Sequence, residues 1–200
     1  MTLNAGKVLV KEILKHPDDR EWTLQGFGML RTYLSPEVRL HVWDSRYAVD
    51  DVSTIHTHPW DMESEVLAGS LVNQRYMELG RDSTDEFISW TPFHRQTIVC
   101  GEGGGPRGTP IMTSLFAIHS QTVPDRWGQS KYSQKYDEIH ESRPEDGTVT
   151  LVNRRVPNGG NPDLAYVYWP EGKEWVSAEP RKATPEEVLD ICDRSLERWF

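Results

Sequence analysis

The feature that most limits this fold is the spacing of turn residues along the first two thirds of the chain. Short runs rich in β-branched and aromatic residues recur at Gly26 to Leu34, Val38 to Trp43, Glu65 to Met77, Phe87 to Trp90, Phe93 to Cys100 and Ile111 to His119. Clusters of Gly, Pro, Ser and Asp separate them, and the third run is interrupted at Gly69-Ser70. Such runs are too short and too closely punctuated for helices, so they predict an all-β sandwich or barrel. Ser35-Pro36-Glu37 is a turn-forming linker that makes a hairpin of the first two runs. In the second of these, Val38, Leu40 and Val42 alternate with Arg39, His41 and Trp43, one set for each face of a strand.

The remainder divides into three. Lys7 to Leu14 is open between a strand and a short helix until His16-Pro17-Asp18-Asp19 breaks it, and we take the N-terminal region as strands. Thr150 to Val152 and Ala165 to Trp169 read as another strand pair around the loop Pro157 to Pro162, whereas Asp125 to Gly147 is dense in charge, Pro, Gly and Ser. We expect a single domain over 1–200, with a barrel core over about 26–128 and an exposed loop over 129–147. The helix expected over 184–199 has the strongest local signal. Thr184 is its N-cap, Pro185 occupies N1, Glu187 completes a capping box, and Val188, Cys192, Leu196 and Trp199 form an apolar stripe.

With 31 acidic against 22 basic residues, the formal net charge is −9. A duplex-binding or anionic-membrane-binding surface needs a basic stripe, and none is visible, so we expect neither partner. The chain begins without an apolar signal segment and has no run of membrane-spanning length. Cys100 and Cys192 are far apart and read as free thiols in a reducing compartment, which together predicts a cytoplasmic protein. Gly103 to Gly108 fits Gly-x-Gly-x-x-Gly, but a strand follows it rather than a helix, so it reads as a hairpin loop.

Chemistry concentrates at Ile55-His56-Thr57-His58-Pro59-Trp60-Asp61. Histidines two positions apart on a strand point to the same side and can clamp one ion, and Pro59 then ends the strand. His94 comes 36 residues after His58 in Phe93-His94-Arg95-Gln96-Thr97-Ile98-Val99 and supplies the expected third imidazole. Three histidines on one barrel wall suit a divalent first-row metal and leave coordination positions open. Gln96 shares the face of His94, within reach of a substrate or a metal-bound water, and Arg95 alternates away. Trp60, Arg31 and Arg39 are candidates to line the pocket. His41 is a lesser candidate, and His16 and His140 fall in charged loops expected to be solvated.

The run His56-Thr57-His58-Pro59-Trp60-Asp61-Met62-Glu63-Ser64-Glu65-Val66-Leu67-Ala68-Gly69 resembles the first motif of the cupins. The likeness is closest to small cupin-type proteins with a His-x-His-Pro-Trp-Asp core. In that group a His-Arg strand follows some 35 residues later, then an acidic residue before Trp-Gly, which His94-Arg95 and Asp125-Arg126-Trp127-Gly128 match. The resemblance spans roughly residues 26–128 and implies a double-stranded β-helix (jelly roll) with a C-terminal helix. It also departs from the pattern. Met62 stands where common cupins place a metal-binding glutamate, and Glu63, Glu65 and Leu67 share a face. Glu63 becomes a candidate ligand only through a bulge, so a three-histidine site is the main expectation.

A second, more distant likeness is to the cysteine and thiol dioxygenases, which use three histidines. His94-Arg95-Gln96 and Ser114-Leu115-Phe116-Ala117-Ile118-His119-Ser120 are similar to two of their strands. Their tyrosine is not reproduced, His119 falls near its place, and their helical N-terminus differs from the strands read here. The likeness implies Fe(II), a small polar substrate and oxygenase chemistry, with His119 and Gln96 as catalytic candidates. Zinc, manganese or nickel would suit a metal-dependent isomerase, lyase or hydrolase on the same barrel. A non-catalytic metal- or ligand-binding module is the third reading. Pairing through sheet edges, common among cupins, makes a homodimer the implied assembly.

Overall fold

The computed structural model describes residues 3–79, 91–100, 105–126, 128–156 and 163–200. Two antiparallel sheets and two helices account for nearly all regular structure among them. The chain opens with α1 (Leu3–Lys15), a short 3-10 turn over Pro17–Asp19, β1 (Thr23–Gln25), β2 (Phe27–Tyr33), β3 (Val38–Ala48) and β4 (Ile55–His56). Then come β5 (Asp61–Ala68), β6 (Ser70–Leu79), β7 (Thr91–Val99) and β8 (Gly105–Pro124). The last third adds β9 (Lys131–Gln134), β10 (Ile139–Pro144), β11 (Val149–Arg155), β12 (Leu164–Pro170), β13 (Arg181–Lys182) and α2 (Pro185–Trp199). One sheet has the order β13-β1-β2-β3-β11-β5-β9, and the other closes on itself as β10-β4-β12-β7-β8-β6. No described helix is long and apolar enough to cross a membrane.

The strand alternation of β3 sorts two environments. Leu40 and Val42 join Leu30, Val149, Leu67 and Ala68 on the outer face of the open sheet, under both helices. Each of the Leu and Val side chains, fully withdrawn from water, contributes about 2 kcal/mol. His41 and Trp43 face the other way, toward the second sheet. Met62 and Val66 of β5 share that inner side, packed with Leu71, Val123, Tyr132 and Val152. Gly69 carries the chain from β5 in one sheet to β6 in the other at φ +77°, and a Cβ there would lie 2.6 Å from Thr148 Oγ1. Only glycine combines that backbone region with that close approach.

The N-terminus is a helix, not the strand expected from its apolar content. Val10, Ile13 and Leu14, spaced i, i+3, i+4, are buried, while Val8 and Leu9 are exposed. The outer sheet face needs a cover, and the helical stripe supplies it. The C-terminal helix forms as its sequence predicts. Thr184 Oγ1 accepts from the Glu187 backbone N–H while the Glu187 carboxylate accepts from Thr184 N–H.

The segment 129–147 differs from the exposed loop expected of it. It holds β9, paired with β5, and β10, paired with both β6 and β4. Polar residues misled the composition argument here, because Ser130, Gln134, His140 and Glu141 are all buried. The β7–β8 connection is a hairpin flank from Val99 opposite Gly105 onward. The runs Phe87 to Trp90 and Pro157 to Pro162, together with Gly103, Gly104 and Trp127, lie outside the described residues.

Candidate functional site

Three imidazoles meet between the two sheets: His56, His58 and His140. Their candidate ligand atoms all lie within 4.8 Å of one another, close enough to bind one metal ion. His56 ends β4, and His140 stands directly opposite it on β10. His58 follows two residues after His56 on the same side, its backbone N–H held by Tyr136 O at 3.2 Å. Ring centroids are separated by 4.7 Å for His56–His58, 4.8 Å for His56–His140 and 5.1 Å for His58–His140.

Outer partners orient these rings. His56 Nδ1 lies 2.8 Å from Thr54 O, and His140 Nδ1 lies 2.9 Å from Asn73 Oδ1. A carbonyl oxygen only accepts, so we assign the proton of each ring to Nδ1 and the free lone pair to Nε2. Histidines that ligate metals are characteristically held this way. His140 Nε2 and His58 Nε2 are 3.0 Å apart. That separation fits an N–H···N hydrogen bond, and equally two ligands at right angles about 2.1 Å from one ion, since 2.1 × √2 is about 3.0.

Packing completes the setting. His58 stacks on Trp60 at 4.2 Å, and His56 stacks on Phe27 of β2 at 5.4 Å. Burial pushes all three imidazole pKa values down; for His56 the Thr54 carbonyl and Glu141 partly oppose it. His58 and His140 are held well below the ordinary histidine value, first by desolvation and then by neighbouring His56, with Arg75 adding to the effect at His140. Neutral imidazole is the form that donates to a metal.

The remaining sequence candidates stand elsewhere. His94 is not the third member of the cluster. It lies on β7, paired with Trp169 of β12 and stacked on it at 5.4 Å. β12 runs between β4 and β7, so two strand spacings, about 10 Å, part His94 from His56. Glu63 points away from the histidines. It sits on the outward face of β5, 60% exposed, with its carboxylate 3.4 Å from Arg155. No bulge of β5 intervenes there: Met62, Glu63, Ser64 and Glu65 pair in unbroken register with Gln134 to Lys131.

His119 is exposed. Arg75 pairs with His119 and Tyr76 with Ala117, so Ile118 is an extra residue in β8. That bulge reverses the alternation beyond it and turns His119 away from the side that buries Leu115. Gln96 is buried, but its amide is engaged by backbone. Nε2 donates to Arg107 O at 2.7 Å and more weakly to Thr97 O and Gly108 O, satisfying carbonyls where β8 slips out of register with β7. His41 is buried on the inner face with Nε2 unpartnered. Trp60, Arg31 and Arg39 do line the same inter-sheet space, joined by Arg154 of β11.

His140 is the member of the histidine cluster that sequence reasoning missed. Its residue type was visible, but its surroundings read as loop. One available signal was Asp146-Gly147, a turn pair shortly before the strand that starts at Val149, which calls for an extended segment on its other side. No protein-family model matches this chain, and no curated protein is significantly similar to it.

Proposed function

We propose that His56, His58 and His140 hold a divalent metal ion, and that the protein is a metal-dependent enzyme acting on a small polar molecule. The observation that carries this reading is the convergence of three imidazoles, one buried and two half-buried, two of which have their Nδ1 protons already committed to outer acceptors. The Nε2 atoms of His58 and His140 face each other at 3.0 Å, and a bound cation would take up lone pairs directed at one point. Three protein ligands also leave positions free for substrate, the mark of a catalytic rather than a structural site.

Fe(II) and oxygenase chemistry are our preferred form of the proposal, on the resemblance of His56 to Gly69 to the first cupin motif. When bound, such an ion supplies a centre at which dioxygen and substrate meet, whereas zinc, manganese or nickel would polarise a carbonyl or activate water. The chain's own contributions are separate from that choice. Asn73 and the Thr54 carbonyl keep Nδ1 protonated, Trp60 and Phe27 fix ring planes, and the two sheets exclude bulk water.

The test is metal analysis of the purified protein after aerobic reconstitution with Fe(II), alongside His140→Ala and His94→Ala. We expect about one ion per chain in the parent and His94→Ala, and a loss of at least tenfold in affinity for His140→Ala. Retention of the ion by His140→Ala would overturn the site. Stoichiometric iron without oxygen uptake across a panel of thiols and 2-oxo acids would overturn the oxygenase reading and leave a metal-dependent isomerase, lyase or hydrolase.

A further inference from the structure

Next to the histidines lies a concentration of positive charge that the described residues do not neutralise. Arg31 on β2, Arg39 on β3 and Arg154 on β11 come from three neighbouring strands of the open sheet. The guanidinium of Arg39 lies 4.8 Å from the Tyr33 ring centroid and 5.4 Å from that of Trp60, and that of Arg154 lies 5.3 Å and 5.5 Å from the same rings. Trp60 is in turn the ring against which His58 stacks. One aromatic wall therefore joins the arginines to the candidate metal ligands.

The hydrogen bonds of these arginines are few. Arg31 Nε donates to Thr23 Oγ1 at 2.9 Å, Arg39 Nη2 to Tyr33 Oη at 2.6 Å, and Arg154 Nη2 to the Pro36 carbonyl. Each guanidinium carries five N–H donors, so most of the fifteen have no acceptor in these bonds. Nε of Arg39 and of Arg154 are buried with no partner, as is Nε2 of His41 on the same face. Among the described residues no carboxylate pairs with any of the three. The contrast with the rest of the chain is pointed, since the protein as a whole carries a net charge of −9. Burial, and then repulsion from Arg31 and Arg154, bring the Arg39 pKa down to about 10.

Three half-buried cations gathered with no carboxylate partner among the described residues repel one another, and an anion is the species that relieves this. We infer that Arg31, Arg39 and Arg154 form a binding subsite for a doubly charged tetrahedral oxyanion, the phosphoryl or phosphonyl group of a small molecule whose other end reaches the histidines. A single carboxylate would leave two of the three positive charges uncompensated. A dianion with three terminal oxygens compensates two of the three charges and offers acceptors to the forked donors of the guanidinium groups. Its assignment as a substrate headgroup rests on the metal-site proposal, but the anion site itself does not.

Inorganic phosphate is the probe. Titrated at pH 8 into metal-free protein, it should bind saturably at one site per chain and change tryptophan fluorescence through Trp60. Arg39→Gln and Arg154→Gln should each weaken binding at least tenfold while keeping a cooperative thermal transition. His140→Ala should bind phosphate within about twofold of the parent, whatever its effect on metal. Failure of the parent to saturate by 20 mM phosphate, or unchanged affinity in both arginine variants, would overturn the subsite. Phosphate binding in a protein that takes up no metal would leave the subsite standing and remove only its role as a substrate headgroup site.

Discussion

Arg95 and Arg39 are both partly buried arginines packed against tyrosine, yet their surroundings are opposite. Arg95 lies 4.8 Å over the Tyr166 ring, and its Nη1 donates to both Glu78 oxygens at 3.0 and 2.9 Å. Glu78 accepts further from Thr113 Oγ1 at 2.7 Å and from Tyr168 Oη at 3.0 Å, so the Arg95 charge is compensated and the carboxylate accepts from three side chains. Arg39 has one tyrosine hydroxyl and two other arginines for neighbours. A paired network holds strands β6, β7, β8 and β12 together. An unpaired one is maintained against its own repulsion, and that is the pattern of a site built for something that comes and goes.

The largest test of this contrast is to cut the pair. Glu78→Gln should leave Arg95 without its counter-charge and lower the free energy of unfolding by about 2–3 kcal/mol in urea denaturation. A change under 1 kcal/mol would mean that the Arg95 network is no more structural than the Arg39 cluster. The histidines offer a second, parallel test, since His94 is stacked on Trp169 while the Nε2 of His140 faces that of His58 at 3.0 Å. Removing Asn73 by Asn73→Ala frees the Nδ1 side of His140, and metal affinity should fall tenfold or more, about 1.4 kcal/mol per decade. Equal affinity would show that the Asn73 bond has no part in presenting Nε2.

Arg39→Gln should act in the opposite direction to Glu78→Gln. In phosphate-free buffer it relieves repulsion, so stability should stay level or rise by up to about 1 kcal/mol, measured by the same denaturation. A loss above 1 kcal/mol would make Arg39 a structural residue. The smallest effect belongs to the exposed end of the spectrum, the Arg181–Glu187 pair at the start of α2. Hydrogen bonding from Arg181, with help from the Thr184 backbone, brings the Glu187 carboxyl down to about 2. A depressed folded-state pKa stabilises above the unfolded value near 4.3 and loses that contribution as pH falls through about 2. Glu187→Gln should therefore cost about 0.5–1 kcal/mol at pH 7, and the difference should vanish by pH 2 in thermal melts. A constant difference across that range would show that the charge is irrelevant to the cap.

How far the candidate site could be read in advance follows from the range of each rule. His56 and His58 were legible because a period of two acts over three residues, and the rings do lie side by side. The exclusion of Glu63 from the inner face was legible for the same reason: Met62, not Glu63, has the inward phase. His119 was misplaced by a single bulged residue, Ile118, which alternation from Leu115 could not anticipate. His94 was preferred to His140 because it lies in a strand-forming run whereas the polar surroundings of His140 read as a loop, and nothing local says which strand lies beside β4. The Arg31 and Arg39 pocket was half visible, since both share the inner face with His41, but Arg154 joins it only through the β11–β3 pairing.

Sequence alone determined the local elements with strong chemistry: the alternating β3 strand, the Gly69 crossing, the capped C-terminal helix and the His-x-His pair. Each depends on backbone sterics, alternation or hydrogen bonds within a few residues. Tertiary structure decided which third histidine meets that pair, which arginines gather without partners, and why a polar segment at 129–147 is buried rather than solvated. Those outcomes depend on strand order and register, set by the joint burial of faces far apart in the chain, and one bulge or one interposed strand is enough to reassign every side chain beyond it.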